Sequence, residues 1–192
     1  MSGPHEPPAL TEGQLRRLSA ALGQPAAPSE SARAVWCVIG ELGSEMAGFA
    51  TFSAMRLHAA SMEVERLHSQ DPQHYPVGGR KAKAGTPWAR QVLVEHREFV
   101  GQGPGDLALH FDDHAKMLAL GWRSIVNMPI VVGGRCLGVQ NFMGGSDRLD
   151  ERQVQVARLL AGLGAIAFVL AEQDGAAASH ERSAQAGHAS PA

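Results

Sequence analysis

Apolar residues recur at helical spacing near both ends of the chain. Thr11 and Gln14 have the spacing of a capping box, so they predict the start of a helix that ends at Gly23. A second helix is predicted by apolar residues on one face, namely Val35, Val38, Ile39, Leu42 and Met46. A last helix, with two apolar faces, is predicted between Asp150 and Gln173.

Between these helices the apolar pattern changes to that of β-strands. Strands are predicted within residues 49–68, 97–101 and 123–142. The first and last of these regions each predict a hairpin, around residues 59–61 and around Gly133-Gly134, where both glycines can take a positive φ. Helices at the chain ends around antiparallel hairpins predict an α+β domain.

The centre of the chain is less regular. Residues 69–85 are mostly polar, Gly and Pro, and this stretch is too long for an ordinary connection, so it predicts a binding loop, a lid or local disorder. Thr86-Pro87 then predicts the start of a short helix that ends at Leu93. A further helix is predicted from Gly103-Pro104 to Gly121.

The two ends of the chain differ from the middle in composition. Residues 1–10 are rich in Pro, and residues 174–192 contain no apolar residue larger than Ala. Such segments bury too little apolar surface to fold, so both are predicted to be disordered. The predicted domain therefore spans residues 11–173.

Charge and composition exclude several classes of partner. The chain has 17 basic and 19 acidic residues and no Lys/Arg block, so neither nucleic acid nor an anionic membrane is an expected partner. No signal peptide or membrane span is recognised, which predicts a cytoplasmic protein. Cys37 and Cys136 are too few for a disulfide framework or a zinc knuckle.

Two stretches carry a family resemblance. They are RLHSQDPQHYPVGGRKAKAGTPW, at residues 66–88, and FDDHAKMLALGWRSIVNMPIVVGGRCLGVQN, at residues 111–141. Together they resemble the GAF domain over residues 30–172, and the chain is similar to stand-alone, single-domain bacterial GAF proteins. The resemblance implies a central antiparallel sheet of five or six strands. It places the terminal helices on one face of the sheet and a ligand pocket, formed by residues 70–120, on the other.

The resemblance also implies a class of function without choosing a ligand or cofactor. GAF domains bind cyclic nucleotides, tetrapyrroles, haem, amino acids or small aromatics, so we expect a small-molecule-binding sensory module that acts in trans as a dimer. The alternative is a small enzyme that uses His114 and Asp113 as acid and base, or a haem or a metal. The methionine-R-sulfoxide reductase activity of one GAF branch is not expected, because no cysteine lies between Cys37 and Cys136.

Polar residues in the region of the expected pocket are the candidate ligand contacts. They are Arg80, Trp88, His110, Asp113, His114, Asn127 and Asn141. His114 lies on the apolar stripe of its predicted helix and is either a site residue or a core histidine. Asn127 either faces a ligand or satisfies irregular backbone near Pro129. Trp88 either forms a pocket wall or fills the core.

The sequence does not predict a metal site. His110 and His114 are four residues apart on the predicted helix, and Asp106 lies four residues before them, so a two-His-plus-carboxylate site is geometrically conceivable. A chance pair of histidines is common in a chain with nine of them, and no complete zinc signature is present.

The last helix predicts a homodimer. Apolar residues recur there with steps of four and three, at Val156, Leu160, Leu163, Ala167 and Leu170. Leu159, Ile166 and Val169 make a second apolar face, so one face can pack on the sheet and the other on a partner. The alternative is a single helix buried in its own domain.

Overall fold

A computed structural model of the protein describes residues 7–187, with side chains to residue 173. The described helices are α1 (Glu12–Gly23), α2 (Pro28–Ala47), α3 (Pro87–Ala89), α4 (Gly103–His110), α5 (His114–Ala119) and α6 (Glu151–Gly187). The strands are β1 (Thr51–His58), β2 (Glu63–Ser69), β3 (Arg80–Ala82), β4 (Phe99–Gln102), β5 (Ser124–Val132) and β6 (Arg135–Gly144).

The six strands form one antiparallel sheet in the order β3-β2-β1-β6-β5-β4. Both predicted hairpins are present, and the turn between β5 and β6 has positive φ at Gly133 and Gly134. The capping box of Thr11 and Gln14 also forms at the start of α1. The α+β class is confirmed, and so is the central antiparallel sheet, which has six strands.

Each face of the sheet has its own apolar core. We call the side that packs against α1, α2 and α6 the helix face. The other side, the pocket face, packs against α3, α4 and α5. Successive residues of β6 alternate between the two, so Phe142 enters the core of the helix face and Met143 that of the pocket face.

Two local predictions on the pocket face are wrong in part. The helix predicted from residue 103 to Gly121 is broken, because Phe111 has extended backbone angles and the two aspartates after it favour caps over helix interiors. The predicted loop 69–85 contains β3, which pairs with Glu63–Glu65 of β2. The short helix after Thr86 is present and continues as a π-helical turn over Arg90–Val94.

Three of the five residues of the predicted dimer seam on α6 are buried in their own domain. Val156, Leu160 and Ala167 are 0% exposed and belong to the core of the helix face, with Leu163 and Leu170 packed partly against it. These five residues therefore pack within their own domain, mainly against α2 and β5. Of the second face, Ile166 is 43% exposed.

The terminal segments differ from their prediction in part. The backbone of α6 is helical to Gly187, whereas the sequence predicts a disordered tail from residue 174. This tail is rich in Ala, the best helix former, and extending an existing helix avoids the cost of nucleation. Residues 7–10 have no regular secondary structure, and residues 1–6 and 188–192 lie outside the described residues.

One described helical segment, Glu151–Gln173 of α6, is long and apolar enough to cross a membrane by length and composition. The sequence pattern predicts this segment as a helix of the domain and no membrane span. Half of its most apolar window is buried inside the domain, as in the core helix of a globular fold.

Candidate functional site

A cavity of about 70 Å³ lies on the pocket face. Its floor is formed by β1, β2, β5 and β6, and its walls by α3, α5 and the segment that leads into β3. Most of its wall is apolar, with Met55, Met117, Trp122, Ile125 and Met143 among the lining residues. A single water needs about 10–15 Å³ by the same measure, so the cavity has room for a compact ligand of about half a dozen non-hydrogen atoms.

A row of hydrogen-bonded side chains crosses the cavity floor. Trp88 Nε1 donates to Asn127 Oδ1 over 2.8 Å, and Asn127 Nδ2 donates to Asn141 Oδ1 over 2.6 Å. Asn141 Nδ2 then donates to Ser53 Oγ over 3.0 Å. Asn141 is the strand partner of both Asn127 and Ser53, so the strand register itself aligns the row.

The row is buried and its direction is fixed. Each bond is donated toward Ser53, whose oxygen accepts the last one, so the Ser53 proton can be donated to a group in the cavity. A buried polar group is costly unless it is paired, and here each amide pairs with its neighbour. The row therefore provides oriented polar groups within an apolar wall.

Arg66 adds a buried positive charge to the cavity wall. Its side chain is 9% exposed, and its guanidinium carbon lies 5.0 Å from the centre of the Tyr75 ring. Burial lowers the pKa of Arg66, while the negative charge of Asp113 acts in the opposite direction. Tyr75 also lines the cavity, and burial, followed by the charge of the Asp113 carboxylate and a hydrogen bond to it, raises the pKa of the Tyr75 hydroxyl.

Two lysines and one carboxylate stand at the edge of the cavity. Lys81 Nζ donates to Asp113 Oδ2 over 2.8 Å. Burial raises the pKa of Asp113, but the hydrogen bond and charge of Lys81 outweigh it and leave the pKa below its usual value. Lys83 Nζ lies 5.1 Å from the centre of the Trp88 ring, and burial lowers the pKa of Lys83.

Comparison with known families identifies the domain. A sequence model of the GAF domain matches residues 29–169, which is well over half of the chain. The chain belongs to the GAF domain family. The resemblance to the GAF domain is thus confirmed. A comparison with curated proteins finds no significant match.

Solved GAF domains share the fold at low sequence identity. The GAF domain of a Coxiella burnetii phosphoenolpyruvate-protein phosphotransferase is 16% identical, with a TM-score of 0.64 and coverage of 85% of this chain and 95% of that one. A phycocyanobilin-bound GAF domain from a cyanobacterial phytochrome is 15% identical, with a TM-score of 0.62 and coverage of 86% and 98%. Residues 122 to 287 of a methyl-accepting chemotaxis protein are 19% identical, with a TM-score of 0.59 and coverage of 79% and 94%.

Four of the seven predicted contact residues line the cavity of this GAF domain: Trp88, Asp113, Asn127 and Asn141. Three do not. His110 packs edge-on against Phe99, with 4.7 Å between ring centres, and His114 Nδ1 lies 2.9 Å from the backbone oxygen of Phe111. Arg80 reaches Glu65 over 3.4 Å on the outside of β2.

The break between α4 and α5 explains why the histidines were misplaced. His110 and His114 lie on different helices, so the four-residue spacing does not bring them together as it would on one helix. Within the part of the chain whose side chains are described, no group of three or more His, Cys, Asp or Glu residues is arranged to hold a metal. Neither Cys37 nor Cys136 lines the cavity, and burial raises the pKa of both thiols.

Sequence reasoning missed Arg66, Tyr75 and Ser53 as residues of the cavity. Arg66 could have been found from the pattern, because it lies on the same side of its strand as Met62 and Val64, where a charge is unexpected. Tyr75 lies in the loop before β3, which has no period that could orient it. Ser53 resembles any small polar strand residue until the register places it beside Asn141.

Proposed function

We propose that this GAF domain is a sensory and regulatory module that binds a compact polar metabolite in the cavity of the pocket face. The observation that carries the proposal is the buried row from Trp88 to Ser53, which sets oriented polar groups into an apolar wall. Such a composition is usual for small-molecule sites. One structural neighbour holds phycocyanobilin in the same fold, but a tetrapyrrole is far larger than a cavity of about 70 Å³.

Acid and base chemistry at Asp113 and His114 has less support than binding. Lys81 holds the Asp113 carboxylate and keeps it ionised, which makes it a poor proton acceptor. His114 is tied to the backbone of Phe111 and does not line the cavity. The arrangement therefore favours recognition of a ligand over its conversion.

The binding proposal is tested with a metabolite panel. Compounds of up to about ten non-hydrogen atoms are screened by thermal shift, and each hit is titrated into wild type and Asn127→Leu. Removing the amide breaks the row at its centre, so affinity should fall roughly tenfold or more. Gln102→Leu is the matched control, because this exposed amide lies outside the cavity and its loss should leave affinity unchanged. Hits that bind Asn127→Leu as well as wild type would contradict the proposal.

The proposed signalling form is a cytoplasmic homodimer that acts in trans. Its interface is proposed on the second face of α6, around Leu159, Ile166 and Val169, because Ile166 is a large apolar residue that the domain leaves exposed. Ile166→Glu should give a monomer in sedimentation equilibrium, since an unpaired charge is costly in an apolar interface. Gln173→Glu adds the same charge to an exposed position of α6 and should remain dimeric. A monomeric wild type at micromolar concentration would contradict the dimer.

A further inference from the structure

Arg66 is a buried cation that makes no direct ion pair among the described residues, where the charge of Asp113 acts on it only at longer range. Within the described part of the chain its side chain forms neither an ion pair nor a hydrogen bond, and its recorded contact is with the face of the Tyr75 ring. Removing a guanidinium from water is costly, and an aromatic face returns only part of that cost. An arginine in this setting gains most from an anion that accepts its N–H groups.

The surroundings of Arg66 also favour an anion. The Tyr75 hydroxyl is buried beside the guanidinium, and its single proton can turn from the Asp113 carboxylate to a bound anion. Lys81 and Lys83 line the same cavity and add positive charge at its edge. The charge of Lys83 is directed at the cavity, because its side chain packs over the ring of Trp88 and lines the cavity wall.

Asp113 would favour a positively charged ligand. Its carboxylate lines the cavity, and Trp88 and Tyr75 offer aromatic faces to a cation. However, Lys81 already binds that carboxylate over 2.8 Å, and Lys83 occupies the face of Trp88. Three cationic side chains against one paired carboxylate leave the cavity positive, so an anion is favoured electrostatically.

We infer that the ligand is a compact organic anion, whose charged group binds Arg66 and Tyr75 while its apolar body contacts Met55, Met117 and Ile125. The inference rests on the proposed function of the cavity. Arg66 is the strand partner of Met55, and Ser53 lies two residues further along β1, which is roughly 7 Å. A second polar group on the side of the ligand that faces Ser53 would meet the Ser53 end of the row.

The test uses three compounds that share one skeleton and differ in charge: isobutyrate, isobutyramide and isobutyramidinium. Each is titrated into the protein and followed by tryptophan fluorescence, because Trp88 and Trp122 line the cavity. We expect isobutyrate to bind roughly tenfold to a hundredfold more tightly than the amide, as for hydrogen bonds to a charged group, and the amidinium to bind weakest.

Arg66→Met keeps an unbranched apolar stem and removes the guanidinium with its charge, so it should abolish the preference for the acid over the amide. Arg80→Met is the matched control, because Arg80 is on the neighbouring strand but outside the cavity, and this variant should keep the preference. Without ligand, Arg66→Met should be at least as thermally stable as wild type, since an unpaired buried charge is removed. A folded Arg66→Met variant that keeps the acid preference would overturn the inference.

The remaining outcomes separate the inference from the function on which it rests. Equal binding of acid and amide would overturn the anion while leaving a small-molecule site in place. Tightest binding of the amidinium would also overturn it and would assign the ligand to Asp113. If none of the three compounds binds, the compact anion is rejected, and the metabolite panel with Asn127→Leu decides separately whether the cavity is a site.

Discussion

The same strands form a closely packed core on one face of the sheet and a cavity on the other. On the helix face, three long helices cover a continuous apolar core in which Phe52 and Phe142 pack at 5.0 Å between ring centres. On the pocket face, short helices and loops leave a cavity, and polar side chains enter it from three adjacent strands. The comparison indicates that stability resides mainly on one face and recognition on the other.

Their polar residues show the same contrast. On the helix face the side-chain amide of Gln140 and the ring Nε2 of His68 are buried without partners among the described residues. On the pocket face Asn141, the next residue after Gln140, is bonded on both sides. An isolated buried polar atom lowers stability, whereas the amides of the row are paired and oriented along the cavity floor.

The largest expected effect compares two neighbours on β6. Phe142→Ala removes a fully buried ring from the helix face and should lower the free energy of unfolding by about 3–5 kcal/mol. Met143 faces the cavity, where empty space is already present. Met143→Ala should therefore lower the free energy of unfolding by an amount near the lower end of about 2–5 kcal/mol. Chemical denaturation measures both, and a larger loss for Met143→Ala would reverse the comparison.

The second effect is a pH dependence confined to the helix face. Burial, with a smaller contribution from the positive charge of Arg33, lowers the pKa of His68 from 6.5 to about 4. The folded state therefore disfavours the protonated ring, and stability is full above pH 6.5 and falls as the pH drops toward 4. The loss should reach about 2–3 kcal/mol.

The control for this pH effect is His68→Leu, which keeps an apolar side chain at the position and removes the titration. Thermal unfolding between pH 7 and pH 4 should show a shallower decline for the variant than for wild type. Parallel declines of the two proteins would show that His68 does not contribute to acid sensitivity.

A smaller effect is expected from the polar row. Asn127→Leu leaves Trp88 Nε1 and Asn141 Oδ1 without their partners and should cost about 1–3 kcal/mol of stability. Adding Asn141→Leu removes one of those unpaired groups, so the double variant should lose less than the two single variants together. Denaturation of all three variants gives the coupling, and strict additivity would show that the row does not act as a unit.

The sequence predicts the parts of the fold that a local residue pattern determines. The helical spacing from Val35 to Met46 and the Gly133-Gly134 turn each belong to elements fixed by local pattern, and both are present. β3 was not predicted, because three residues carry too short a pattern and depend on pairing with β2. The break at Phe111 depends on a ring that turns into the cavity, which spacing alone does not reveal.

The two amides of the candidate site were predictable because each conflicts with its own element. Asn127 and Asn141 are amides inside apolar strands, and their conflict with the pattern led to them directly. His110 and His114 were chosen by spacing on a helix that is in fact two helices. Arg66 conflicts with its strand as clearly as Asn127 does. Its proposed role, however, depends on the absence of a direct ion pair, which only the three-dimensional structure shows.

The most direct test of the two-face account is NMR of methyl-labelled methionine during a titration with isobutyrate. Met55, Met117 and Met143 line the cavity, whereas Met46 and Met128 pack with the core of the helix face. The account predicts that the methyl signals of the first three shift with a common saturation curve and that those of the last two stay in place. Shifts confined to Met46 and Met128 would contradict it.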